Sequence, residues 1–345
     1  MTRHHVSPGS RHSKGFSLIE LMVSLTIGLV IAVAAVSAYL GTSGASRMAE
    51  AQSRMNEDAQ AALTILTQQL RMAGNNPKQA NRVDNAISTF SSYRNPVYLP
   101  TPTFAGFSLS PTTFKLSSFQ FIRGCDGQFS NVTTAPNIDS LTCAGSPTTL
   151  PDSIAINYEA DKFNTVPTSG GAPTDCLGSA LDTITATLPT VVGASTSTTA
   201  VTYTVADNRF YIDTSTAAIP SLYCKGNGKG GASTTQPLVE NIEDMQFTYG
   251  TLSTSPGTTT ATVAVAGYLR ADQIISEPSL ALLANDAEQW GHVVTVHICV
   301  LVRSENPVAS DLASARYIKC DGTLETAPAD LRLRRAYSTT VGLQN

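Results

Sequence analysis

Side chains able to do chemistry are sparse in this 345-residue chain, and the most unusual is a carboxylate in an apolar setting. Glu20 interrupts an apolar run from Phe16 to Leu40, and Leu21 to Leu40 carries no charged side chain. A charge in such a segment costs roughly 2.5 to 3.5 kcal/mol at a helix centre in lipid, less near an end, and marks function when it occurs. Just before the run stand Lys14, Gly15 and Phe16, with Arg3 and Arg11 upstream and no acid among them. Six cysteines lie far downstream: Cys125, Cys143, Cys176, Cys224, Cys299 and Cys320. Their number is even and no two have the C-x-x-C spacing of zinc or thioredoxin sites, which favours disulfides in an oxidising compartment. Six cysteines allow fifteen connectivities. Pairing of sequence neighbours, 125 with 143, 176 with 224 and 299 with 320, is the expectation adopted, with reduced buried thiols as the alternative.

The remaining reactive groups do not converge. His4, His5 and His12 precede Phe16, leaving His292 and His297 on an apolar stretch without an H-E-x-x-H or other metal spacing. Lys225 to Gly231 is glycine-rich, but no Ser or Thr follows its lysine as in a phosphate-binding loop, so a flexible loop is expected. Asp152, Glu159, Asp161, Glu243 and Asp244 lack the spacing of a calcium loop and read as solvated loop charges. No G-x-S-x-G elbow is present. The expectation is no enzyme, no cofactor and no metal, with Trp290 as a core anchor.

These groups must be positioned by the elements around them. Phe16 to Leu40 spans 25 positions, and about 20 apolar residues cross a bilayer as a helix. The basic residues ahead of it place the N-terminus on the cytoplasmic side and the body across the membrane. An ordinary secretory signal, cut near Ala32-Val33-Ala34, or a plain anchor are the competing readings, and neither explains Glu20. Ser24, Gly28, Ala32, Ala34, Ala35, Ser37 and Ala38 permit close helix approach in lipid. Past Tyr39, Met48, Ala51, Met55, Ala59, Ala62, Leu63, Leu66 and Leu70 recur at three-to-four spacing, predicting an amphipathic continuation of the same helix. Gly41 and Gly44 are points where it can bend, and Gly74-Asn75-Asn76-Pro77 stops it.

Beyond Lys78 the chain turns to short β-rich runs: Leu116 to Arg123, Ser153 to Tyr158, Thr183 to Leu188, Ala200 to Val205, Arg209 to Asp213, Met245 to Tyr249, Val293 to Val302 and Leu331 to Val341. Between them Thr165 to Thr174, Gly193 to Thr199, Gly226 to Thr235 and Ser253 to Thr260 read as polar, mobile loops. With 42% hydrophobic and 14% charged residues the chain has the composition of a folded protein. Its net charge of −4 becomes −7 without Arg3, Arg11 and Lys14, which argues against nucleic acid as a direct partner.

The run Lys14-Gly15-Phe16-Ser17-Leu18-Ile19-Glu20-Leu21-Met22 resembles the class III signal of type IV prepilins and type II secretion pseudopilins. That resemblance implies cleavage between Gly15 and Phe16 by a prepilin peptidase, N-methylation of Phe16, and an assembly role for Glu20. Leu70-Arg71-Met72-Ala73-Gly74, Val239 to Gly250, Trp290 through Ser304, and Arg334 to Val341 resemble minor pilins of the PilW type. The implied fold is α+β and type IV pilin-like, a long N-terminal helix packed on a mostly antiparallel β-rich head. The expected organisation is a leader at 1–15, a transmembrane helix at 16–40, its amphipathic continuation at 41–76, and a periplasmic head at 77–345. The family implies other minor pilins, the major pilin, the assembly ATPase, the prepilin peptidase and the inner-membrane assembly platform as partners. It implies an inner-membrane, single-pass protein that moves to the base or tip of a pilus used in twitching motility, attachment or DNA uptake. A minor pseudopilin of type II secretion and, from a different class, a membrane-anchored periplasmic binding or hydrolytic domain are the rival readings.

Overall fold

The computed structural model of the chain describes residues 15–75, 120–145, 150–192, 195–213, 219–231, 235–252, 265–277, 280 and 286–343. Leader residues 1–14, the start of the run expected at Leu116 to Arg123, and the loop expected at Ser253 to Thr260 lie outside them. The chain divides into two compact units, one up to Glu50 and one from Ala51 to Asn345.

One α-helix, α1, runs Leu18–Met72 without interruption. Helical structure continues through Gly41 and Gly44, the two points where the sequence would permit a bend. Thr42 Oγ1 donates to the Ala38 carbonyl at 2.9 Å and Ser43 Oγ to the Leu40 carbonyl at 3.1 Å between them. The stop is at Gly74, whose φ of +71° is cheap only for glycine. The Gly74 N–H then donates to the Asn157 carbonyl at 2.8 Å, and Glu159 N–H to the Asn75 carbonyl at 2.9 Å. The helix end is thereby fastened to a strand.

Twelve strands and two short helices follow among the described residues. In chain order they are β1 (Ile122–Cys125), β2 (Ser153–Glu159), β3 (Thr183–Val192), β4 (Ser195–Asp213), β5 (Ser221–Lys225), β6 (Thr235–Glu240), β7 (Ile242–Leu252), β8 (Val265–Leu269), α2 (Ala271–Ser276), α3 (Asp286–Trp290), β9 (Val293–Arg303), β10 (Tyr317–Ile318), β11 (Leu324–Glu325) and β12 (Arg334–Gly342). A first sheet has the order β1-β2-β4-β5-β6, with β3 hairpinned onto β4, and a second has the order β12-β9-β7-β8. Every pairing is antiparallel. The fold is therefore α+β and pilin-like.

Residues Ser195 to Thr199, read from composition as loop, are strand: Ser195 pairs with Val192 and Thr199 with Leu188. Thr is β-branched and suits a strand as well as a polar loop, so hydroxyl content alone does not separate the two. The core joins both sheets to the second half of α1, whose buried stripe is Met55, Ala59, Ala62, Leu66 and Leu70. These side chains share one apolar cluster with Ile154, Ile156 and Phe210 of the first sheet and Met245, Phe247, Val296 and Ile298 of the second. Each fully buried Leu or Ile contributes about 1.5 to 3 kcal/mol against its exposed state. Trp290 stands edge-on to Tyr249 with ring centroids 4.9 Å apart, and both are buried. They close over Gly124, where any Cβ would meet the Tyr249 hydroxyl.

Candidate functional site

The helix start is built by its own residues. Gly15, Phe16 and Ser17 lie ahead of α1, all exposed, and no atom comes within 4 Å of where a Cβ on Gly15 would stand. The Gly15–Phe16 peptide thus stands ahead of the helix. Ser17 is the last residue before the helix, and its N–H donates to Glu20 Oε2 at 3.2 Å. Leu21 N–H closes the first turn on the Ser17 carbonyl at 3.1 Å. A carboxylate three residues into a helix that reaches back to the N-cap N–H is half of a capping box, and it also favours the positive end of the helix dipole. Glu20 therefore caps its own helix in the isolated chain. Phe16, 86% exposed, extends beyond it.

From Leu18 to Leu40 every side chain of α1 is exposed. The helix is long and apolar enough here to cross a membrane, with an 18-residue window of mean hydropathy 2.4, none of it buried. Its serine and threonine hydroxyls are satisfied internally: Ser24 Oγ donates to the Leu21 carbonyl at 3.0 Å, Thr26 Oγ1 to Val23 at 2.8 Å, and Ser37 Oγ to Ala34 at 2.9 Å. Such back-bonding spares lipid the cost of desolvating those three hydroxyls. Glu20 is its one formal charge.

The six cysteines form three disulfides, Cys125–Cys143, Cys176–Cys224 and Cys299–Cys320. The first closes the loop 126–142 over the outer face of β2, where Phe129, Ala135, Ile138 and Leu141 make a second small core with Ala155. The second ties the long connection after β2 to β5, and the third ties β9 to the β10–β11 hairpin.

Three of the acids expected as solvated loop charges are instead structural. Asp152 is 4% exposed and accepts from Gly127 N–H and Phe247 N–H, both at 2.8 Å. One carboxylate thus bridges the turn after β1 to the second sheet. Burial pushes it up to about 7, against the pull of those two N–H groups. Glu159 is fully buried at the end of β2. Glu243 takes a two-pronged grip from Arg334, at 2.6 and 3.0 Å, while Arg334 Nη1 donates to Asp330 at 2.7 Å. Burial alone would lower the Arg334 guanidinium, and Glu243 and Asp330 raise it above its ordinary range. Sequence spacing could not reveal the Asp152–Phe247 and Glu243–Arg334 pairings, because each joins residues more than ninety positions apart.

Arg209 was likewise not singled out by its surroundings in sequence. It is 1% exposed on β4, paired with Asp207 two residues earlier at 2.9 and 2.8 Å. Its remaining amine donates to the Val132 and Ala135 carbonyls at 2.8 and 2.9 Å, which pins the disulfide-closed loop. The loop read as flexible at Gly226 to Gly231 is also fastened: Asn227 accepts from Asp207 N–H at 2.9 Å and donates to the Val205 carbonyl at 2.9 Å. His297 Nδ1 lies 3.0 Å from Thr340 Oγ1, and no cluster of His, Cys, Asp or Glu among the described residues is arranged to hold a metal.

Two family models match the chain. The prokaryotic N-terminal methylation motif covers residues 10–36, taking in Gly15, Phe16 and Glu20, and the type IV pilus-assembly protein W model covers residues 209–345, from the end of β4 through β12. No curated protein and no solved structure matches it. A methylation motif opening an apolar helix long enough to cross a membrane, joined to antiparallel sheets, is a type IV pilin-like arrangement. Over residues 209–345 the chain is similar to the type IV pilus-assembly protein W family, and together with the methylation motif this supports a pilin-related role in a type IV pilus system.

Proposed function

We propose that the chain is a minor pilin of an initiating or tip complex, which helps the major pilin leave the inner membrane and enter a growing pilus. The observation that carries this reading is a single carboxylate at the start of an otherwise uncovered apolar helix, joined to a body whose residues 209–345 match the assembly-protein model. Prepilin peptidase cuts between Gly15 and Phe16, a bond that stands outside the helix, and methylates the new amine. The helix remains as the anchor, with the N-terminus cytoplasmic and the body periplasmic. The other minor pilins, the major pilin and the inner-membrane platform are its partners, and motility, attachment or DNA uptake are the uses of the filament.

Glu20 changes partner in this scheme. Before assembly it holds Ser17 N–H, and in the complex it neutralises the Phe16 ammonium of a neighbouring subunit as both enter an apolar helix bundle. An internal pair with its own Phe16 amine, four positions back, is the competing arrangement. The test is Glu20→Ala. Leader removal and folding of the body stay intact, while cross-links to partner pilins and the number of surface pili fall. Unchanged values for both would refute the inter-subunit role. Intact mass of the membrane-extracted protein should give a chain starting at methylated Phe16, whereas a start beyond Tyr39 would mean a conventional signal peptide.

A further inference from the structure

The open sheet edges of the body are guarded, except along half of β4. β1 is four residues long, β6 carries Pro237 and a register shift against β5, β8 is five residues long with a shift against β7, and β12 opens on Arg334 and Arg335. Short length, proline, bulges and charge are the devices that keep an open edge from pairing with another chain. The first half of β4 has none of them. From Thr183 to Val205 the chain carries no charged side chain, its proline, Pro189, stands on β3, and the β3–β4 register runs without a shift. That register also shows which main-chain groups are open. It closes on Val192 opposite Ser195 with two residues between them, and a hairpin of that loop length closes on a pair that exchanges both main-chain bonds. Alternation then turns the N–H and C=O of Ser195, Ser197, Thr199, Val201 and Tyr203 towards β3, and those of Thr196, Thr198, Ala200 and Thr202 away from it. Thr204, next in the outward series, accepts from Ala160 N–H at 2.8 Å, on the side where β2 pairs with β4 from Val205 onward. Among the described residues no strand takes up that side of β4 before Thr204.

Over these residues β3 and β4 form a two-stranded ribbon, which is marginal alone, whereas three or more strands give independent stability. An extended strand meets all four outward residues at once. Pairing the edge with its own copy about a twofold axis at Thr199 sets Thr196 opposite Thr202 and Thr198 opposite Ala200, each twice, so every outward N–H and C=O finds a partner. A strand with a charge there would bring that charge to the edge, and one with a proline would lose a bond. The described open edge free of charge, proline and register shift is β4 itself. Two copies of a chain of net charge −4 also meet there without bringing charged side chains together. We propose that residues 196–202 of β4 pair antiparallel with the same residues of a second copy of this chain, making one four-stranded sheet from two ribbons. The pairing holds or fails apart from the pilus reading.

The test is cysteine cross-linking of the full chain in its own membranes. All six native cysteines are in disulfides, so an added cysteine is the one free thiol. Thr199→Cys faces its own copy as a non-hydrogen-bonded pair with Cα atoms about 4.5 Å apart, inside disulfide range. Ser197→Cys faces position 201 of the copy, and its own counterpart stands roughly 13 Å along the strand, beyond that range. Mild oxidation should therefore give a homodimer from Thr199→Cys, read on a non-reducing gel and by mass, about tenfold above that from Ser197→Cys. Coexpressing Ser197→Cys with Val201→Cys should restore the dimer. Ala200→Pro, added to Thr199→Cys, removes an outward N–H without touching the β3 ladder and should cut the dimer about tenfold. The proposal is overturned by no dimer from Thr199→Cys, by equal dimer from Ser197→Cys, which is collision without register, or by an adduct with another polypeptide. It is overturned too if Ala200→Pro leaves the dimer in place, or if the Ser197 and Val201 combination, which involves no proline, stays monomeric.

Discussion

From Leu18 to Leu40, α1 exposes every side chain, apolar ones included; from Met55 to Leu70 the same helix buries Met55, Ala59, Ala62, Leu66 and Leu70 in a stripe one side wide. Backbone geometry is the same in both stretches. What differs is the solvent each is written for. An all-round apolar surface has no polar face to offer water and fits lipid or other helices, whereas a stripe at three-to-four spacing fits one sheet face and leaves the other side wet. Glu20 and Asp152 repeat the contrast for carboxylates. Glu20 is exposed with one N–H partner, free to exchange it, while Asp152 is enclosed with two and serves as a fixed brace.

The contrast breaks most sharply if one substitution is made in each stretch. Leu66→Ala removes a fully buried side chain from the shared core and should destabilise the body by about 3 to 5 kcal/mol. Leu29→Ala, in the exposed stretch, should leave the body's stability unchanged. Near-UV circular dichroism of the detergent-solubilised chain during thermal unfolding reads both, and equal losses would mean that the two stretches are not distinct.

Next come the cross-links, all of which lie in the body. Replacing Cys176 and Cys224 by Ala opens a separation of 48 residues, worth about 3 to 4 kcal/mol in the chain-entropy account. Membrane extraction of the helix should not change. Mass spectrometry without reductant should find no alkylatable thiol in the native protein, and six would remove the disulfide argument altogether.

Asp152 gives a smaller effect with a definite sign. Its folded-state value is raised to about 7 from 3.8, so between those values the folded chain holds a proton that the unfolded chain releases. Stability contributed by this group is therefore lost as pH rises through that window, on the order of 4 kcal/mol in all. Below the unfolded value it contributes nothing to the slope. Asp152→Asn should flatten the fall in unfolding temperature between about pH 4 and 7, even though its amide satisfies only one of the two N–H groups. Glu20→Ala should leave that slope untouched. An identical pH profile for Asp152→Asn and the parent would show that the brace does not titrate there.

The sequence was easiest to read where physics is local. The apolar run, its single acid and the stop at Gly74 depend on neighbours within a turn or two, and the helix they describe is there. Strands with continuous apolar character, β2 and β9 above all, were legible for the same reason. What composition concealed was non-local. Asp152 stands between Pro151 and Ser153 like any turn residue, and only the approach of Phe247, far along the chain, makes it a buried brace. Arg209 gives no sign in sequence that its guanidinium will meet the carbonyls of Val132 and Ala135. The Thr165 to Thr174 connection has the composition of a slack loop, yet its hydroxyls and amides are consumed in holding its shape.

The finest comparison uses two tyrosines. Tyr39, in the exposed stretch of α1, is 71% exposed. Tyr337 on β12 donates its hydroxyl to Asn56 Oδ1 of α1 at 2.6 Å, a contact that fixes the wet side of the amphipathic stretch to the second sheet. Asn56 lies one residue past Met55, so this bond and the buried stripe set the same rotation of the helix about its axis. Removing the hydroxyl leaves a half-buried amide without that partner, and a net loss of about 1 kcal/mol is typical for such a bond. Tyr337→Phe should therefore lower the body's stability by that amount, and Asn56→Ala should lower it similarly. The double variant should cost little more than either single change, because both remove one interaction. Tyr39→Phe should have no effect on the body. Strict additivity at 56 and 337 would mean that the two residues act separately and that the apolar stripe alone orients this part of α1.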